Sequence, residues 1–227
     1  MPANLELLLS SLAVAQTIPA AGLCNTGLAR ASPIDGCATS ALVTPVNPIS
    51  GGTSVDGNWQ LATPYPSAPY NEKSPDPCTL SAFGPAWVDV PWPGWFNPGD
   101  GLSQYITPEV EGPVAAGGWY IYRTGVPIPR IQAGATYYVL TVAGQVLVDN
   151  QLVAIIIEDP ASAKSGCKVV ATPSGTYDTS WATFTFTAAV EPHSLAVLYF
   201  VTYNAEQDFG NPTGLRVEFT SAYFTPK

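Results

Sequence analysis

Period-two alternation dominates the second half of the chain, and helical periodicity is nearly absent from it. Trp119 to Thr124 places Trp119, Ile121 and Arg123 on one side and Tyr120, Tyr122 and Thr124 on the other, the pattern of a strand with two distinct faces. Trp181 to Ala188 sets Phe184 and Phe186 against Thr183, Thr185 and Thr187. Asn58 to Ala62 and Ala86 to Val90 repeat the pattern over shorter spans, and Thr136 to Ala143 is rich in strand formers. Ser194 to Tyr203 is apolar at most positions and predicts a strand buried on both faces. Gln145 to Asp149 and Leu152 to Glu158 flank Asn150-Gln151, which reads as a tight hairpin. Thr213 to Phe224 closes the series after the turn Gly210-Asn-Pro-Thr-Gly214. Many short strands with no helix between them predict an all-β fold. The expected architecture is a two-sheet antiparallel jelly-roll sandwich over residues 58–227.

The first 57 residues break this pattern. They hold no Trp, Tyr or Phe and few charges, and Ser40 to Ile49 is interrupted by Pro45 and Pro48, each of which disfavours helix at the preceding residue. They predict an extended N-terminal arm, residues 1–57, that takes its stability from another surface. Within it Asn4 can cap a short helix carrying Leu5, Leu8, Leu9 and Leu12 on one stripe. The other reading is a secretory leader, since Ala13-Val-Ala15 resembles a cleavage site. No Lys or Arg precedes it, and Glu6 stands where positive charge is usual. Residues 63–100 hold nine prolines and predict a stiff surface loop system, because proline removes a ladder donor from a central strand.

Composition adds limits. Only 11% of residues are charged and the net charge is −9, with 8 Lys and Arg in all. Lys73, Arg123, Arg130, Lys164, Lys168 and Arg216 are scattered. Phosphate backbones and anionic lipid surfaces require clustered cations, so nucleic acid and membrane are not expected partners. The 23 prolines, 20 glycines and 6 tryptophans fit a rigid β protein with a weakly charged surface.

Candidate chemistry is sparse. Cys24, Cys37, Cys78 and Cys167 form no CxxC. They are candidates for a local Cys24–Cys37 bridge and a long Cys78–Cys167 bridge, or are buried thiols. His193, the one histidine, sits in the turn Glu191-Pro-His-Ser194, and no Gly-x-Ser-x-Gly elbow exists. Asp89 and Asp100 lie near Trp87, Trp92 and Trp95, but spacing cannot place two carboxylates across a cleft. No catalytic residue is assigned, and the chain is not expected to be an enzyme. Trp87, Trp92 and Trp95 are the binding candidates. Indoles on a proline-stiffened loop can stack on sugar rings, or they plug one end of the sandwich. Asp149 and Asn150 offer oxygens to a structural calcium, although a tight turn explains them equally. No other cofactor is expected.

The succession Tyr105-Ile-Thr-Pro108, Gly118-Trp-Tyr-Ile-Tyr-Arg-Thr124, Asp149-Asn150 and Asn211-Pro-Thr-Gly-Leu-Arg-Val-Glu-Phe219 resembles the jelly-roll ectodomain of bacterial exosortase-sorted (PEP-CTERM type) surface proteins, over roughly residues 58–224. The last motif is the most specific. The likeness implies a non-enzymatic display and adhesion domain. The chain departs from that family at both ends: it stops at Thr225-Pro-Lys227 without a sorting tail, and its leader is not a convincing signal peptide. Two expectations follow. One is a bacteriophage virion protein, a capsid decoration or tail-associated subunit, homo-oligomeric and assembling through its N-terminal arm. The other is a secreted bacterial surface or matrix protein whose jelly roll binds glycan.

Overall fold

The computed structural model describes residues 17–27, 54–66, 74–89, 94–98, 102–108, 114–132, 134–159, 166–174, 180–192, 194–205 and 211–227. Their strands are β1 (Ile18–Pro19), β2 (Ser54–Pro66), β3 (Gly84–Asp89), β4 (Tyr105–Thr107), β5 (Val114–Ala115), β6 (Gly118–Pro127), β7 (Tyr138–Asp149), β8 (Gln151–Glu158), β9 (Lys168–Ala171), β10 (Ala182–Val190), β11 (Leu195–Asn204), β12 (Asn211–Pro212) and β13 (Gly214–Pro226). One 3-10 turn, Pro77–Thr79, is capped by Asp76, whose carboxylate accepts the Cys78 N–H. The fold is the all-β antiparallel sandwich that the alternation predicts. One layer runs β10-β7-β13 and the other β2-β6-β11-β8-β9, while β4 and β3 carry the hydrogen-bonded ladder from β13 round to β2. β12 and β5 form a separate small ribbon.

The facing sides of the two layers meet in an apolar interior. Leu140, Val142, Phe184, Val217 and Phe219 come from the first layer, and Leu61, Tyr122, Ile155, Leu198 and Phe200 from the second. Phe184, Phe200 and Phe219 meet edge to face with centroids 6.0 to 6.4 Å apart, and Trp59 lies 5.3 Å from Phe200, within the range aromatic pairs favour. As predicted, β6 divides its faces: Tyr120 and Tyr122 enter this interior, whereas Trp119 and Ile121 join a second cluster on the outside of the layer. β11 does likewise, with Leu198 and Phe200 inward and Tyr199 and Val201 outward. The outer cluster is covered by Leu80, Phe83 and the Cys78–Cys167 disulfide, so the middle strands are apolar on both sides.

β13 changes parity halfway. Leu215, Val217 and Phe219 point inward, then the ladder with β7 slips between Phe219 and Ser221. Thr220 is the extra, exposed residue. The bulge flips alternation, so that Ala222 and Phe224 face the same interior. It is accommodated opposite Gly144, where a Cβ would stand 2.6 Å from the Glu218 carbonyl oxygen and 2.6 Å from Phe184 Cζ.

Three expectations are corrected. The leader is not a separate arm over residues 17–27. Ala20 and Leu23 are fully buried in the main interior, and β1 pairs with β13 at Ile18–Phe224. Thr26 and Asn25 satisfy the β13 edge: Val217 N donates to Thr26 Oγ1 at 2.9 Å and Phe219 N to Asn25 Oδ1 at 2.8 Å. Short polar side chains supply acceptors to an edge that would otherwise hold buried, unpaired N–H groups, a role that residue bulk does not reveal. The body also begins earlier than residue 58, since β2 starts at Ser54. Residues 1–16, with the helix or leader expected there, lie outside the described residues.

The second correction is the hairpin at Asn150-Gln151. β7 pairs with β10 and β13, and β8 with β11 and β9, so Asn150 carries the chain from one layer to the other. A polar dipeptide between apolar runs looks the same in either arrangement. The third concerns residues 63–100, which hold more strand than one short segment: β2 continues to Pro66, and pairs Tyr65 with Trp119 past a register shift after Ala62.

Candidate functional site

The Asn211–Phe219 motif supplies the polar centre of the molecule. Alternation along β13 sends Arg216 and Glu218 to the outside of the first layer, yet they are 2% and 3% exposed. The connection between β3 and β4 and the start of β10 cover them. Arg216 Nη2 lies 3.3 Å from Glu218 Oε1, Nε donates to Ser103 Oγ at 2.6 Å, and Nη1 donates to Asn97 Oδ1 at 3.0 Å. Ser103 Oγ donates to Glu218 Oε1 at 2.6 Å and Gln145 Nε2 to Oε2 at 2.7 Å. The guanidinium carbon sits 5.2 Å from the centre of the Trp181 ring, a cation–π distance. A buried pair with its hydrogen bonds filled fixes geometry. Removing one partner of such a pair costs about 3–5 kcal/mol.

Beside this centre lies the layer crossing. Trp95 Nε1 donates to Asp149 Oδ2 at 2.9 Å, and Thr213 Oγ1 to the Asp149 carbonyl at 2.9 Å. Asn150 Oδ1 accepts from Ala205 N at 2.7 Å and from Asn211 Nδ2. Asn211 Nδ2 also reaches Asn204 Oδ1 at 3.0 Å, while Asn204 Nδ2 donates to the Ala116 carbonyl at 3.1 Å. The motif residues therefore tie β5, β7, β11 and β12 together. Asp149 Oδ2 and Asn150 Oδ1 together accept three N–H donors, which a calcium bound through these two oxygens would have to displace.

The tryptophan candidates separate. Trp95 is 6% exposed and packs 4.5 Å, centroid to centroid, from Tyr105. A Cβ on Gly214 would come within 2.8 Å of its ring, so the indole is a packing element of this end of the sandwich. Burial pushes the neighbouring Tyr105 hydroxyl well above its usual range. Trp87 is half-buried on β3. Trp92, Asp100, His193 and Cys37 lie outside the described residues. Asp89 is half-buried on the same strand as Trp87. Cys78 and Cys167 are bonded to each other and Cys24 is also in a disulfide. Asp76 stands near the first pair, but oxidised sulfurs offer no thiolate to a metal. No helix among the described residues is long and apolar enough to cross a membrane.

A groove of about 680 Å3 opens where β7 crosses to β8 and β9 returns toward β10, lined by Asn150, Gln151, Leu152, Thr172, Ser180 and Trp181 among others. No described residue in its lining is ionisable. Trp181 escaped the sequence reading because it opens a strand whose alternation drew attention to Phe184 and Phe186. Its position, an aromatic beside the small and polar segment Ser174 to Ser180, which also holds Tyr177 and Asp178, was the available signal. No protein-family model matches the chain, and no curated protein matches it.

Proposed function

We propose that this chain is a non-enzymatic module exported to the cell surface or extracellular matrix, where it is displayed and binds polysaccharide. The Cys78–Cys167 disulfide carries this reading. It fixes the proline-rich connection across 89 residues onto the outside of the β6, β8 and β11 layer. Structural disulfides persist in oxidising compartments and are rare in the cytosol. The carboxylates are consistent with a structural role: Asp56, Asp149, Asp159 and Glu218 are buried and accept hydrogen bonds from neighbouring donors. The motif likeness to exosortase-sorted surface ectodomains points the same way.

A virion subunit gripping its neighbours through residues 1–57 is the competing reading. It expects a free arm, and residues 17–27 instead belong to the protein's own interior. Fractionation of the producing cells tests the choice. The proposal expects the protein in the surface or extracellular fraction, with the Cys78–Cys167 peptide found cross-linked in a non-reducing digest. Recovery in purified virions, or in the cytosol with both thiols reduced, overturns it.

A further inference from the structure

We propose that the groove beside Asn150 and Trp181 takes a neutral oligosaccharide; the inference rests on the polysaccharide-binding reading and gives it a site. The chain carries a net charge of −9, yet the described lining of this groove has no ionisable group. Nucleotides and acidic sugars need cations that it does not offer. Its polar side chains are those of Asn150, Gln151, Thr172, Ser174 and Ser180, amides and hydroxyls that both donate and accept, as sugar hydroxyls do. The volume lies in the range of small-ligand sites.

Two features preorganise it. Trp181 is part-exposed, and its ring is braced by Arg216, itself held by Ser103, Asn97 and Glu218. A fixed indole binds the apolar face of a sugar ring with little ordering cost. Asn150 Oδ1 is anchored by Ala205 N and Asn211 Nδ2, which orients the amide and leaves its Nδ2 to donate to a ligand.

The test is calorimetric titration of the whole protein with soluble cello-oligosaccharide, mannan and galactan, with polygalacturonate as the anionic comparison. At least one neutral glycan is expected to bind, and Trp181→Ala to weaken it by about tenfold or more. Because Trp181 also packs on Arg216, a second variant decides: S174E/S180E changes two exposed residues and is expected to weaken binding similarly with an unchanged melting temperature. Binding of polygalacturonate alone, binding of no neutral glycan, or wild-type affinity in a folded S174E/S180E overturns the proposal. Fractionation fails or succeeds independently of these outcomes, so a misplaced site and a misread location are told apart.

Discussion

Asp56 shows how one side chain joins the leader to the body. Its carboxylate accepts Gly27 N at 2.6 Å and Asn58 N at 2.9 Å. Burial pushes its pKa above the usual 3.8, outweighing these N–H donors and that of Trp59. A raised native pKa means that the folded state holds the proton after the unfolded chain has lost it. Its contribution is therefore full below the ordinary carboxylate range and declines as pH rises through the native value. In denaturant unfolding between pH 3 and 7, the stability of the wild type relative to Asp56→Asn should fall with rising pH. A flat or rising difference contradicts this assignment. Tyr122 offers a complementary case. It is fully buried, and its hydroxyl has no hydrogen-bond partner among the described residues. Removing a polar group that makes no bond relieves a desolvation penalty. Tyr122→Phe should leave stability unchanged or raise it by about 1 kcal/mol, read from the urea midpoint; a loss above that size would reveal a bond to that hydroxyl. Neither role was legible beforehand, because both depend on partners distant in sequence.

Elements with unbroken alternation were the legible part of the fold. β10 buries Ala182, Phe184, Phe186, Ala188 and Val190 and exposes the residues between them, as the two-residue period requires. The faces of β6 were legible for the same reason, and the double burial of β11 from its continuous apolar run. What escaped were the joints. The bulge at Thr220 hides inside a run that still looks strand-like. Asn150 looks like a hairpin because local residues cannot state which layer the next strand joins. The lack of bulky side chains over residues 17–27 hides their place in the fold, because Asn25 and Thr26 contribute by bonding the β13 edge. Among the cysteine candidates, spacing left bridged and free forms open, and the structure pairs Cys78 with Cys167. Replacing both with Ser should lower stability by about 2–5 kcal/mol, since the outer cluster around Ile156, Tyr199 and Val201 loses the clamp on its cover. An unchanged urea midpoint would show that Leu80 and Phe83 hold the cover unaided.

At the scale of the whole molecule, Asn150, Asn204 and Asn211 tie the two layers together where β7 crosses to β8. Asp149 is bonded to Trp95 and Thr213, Arg216 anchors the β3–β4 connection on the outside of the first layer, and a groove whose described lining carries no ionisable group opens beside them. The candidate site was only partly legible: the tryptophan-rich segment drew attention, but Trp95 serves packing, while Trp181 reaches the groove. The account depends on a sandwich whose interior and β13 edge include residues 17–27. Deleting residues 1–27 and recording near-ultraviolet circular dichroism through a thermal melt tests this most directly. The account predicts loss of the aromatic signal and of the cooperative transition, because Ala20 and Leu23 leave the interior and the β13 edge loses its acceptors. A truncated chain that keeps the native spectrum and melts at the full-length temperature would contradict it.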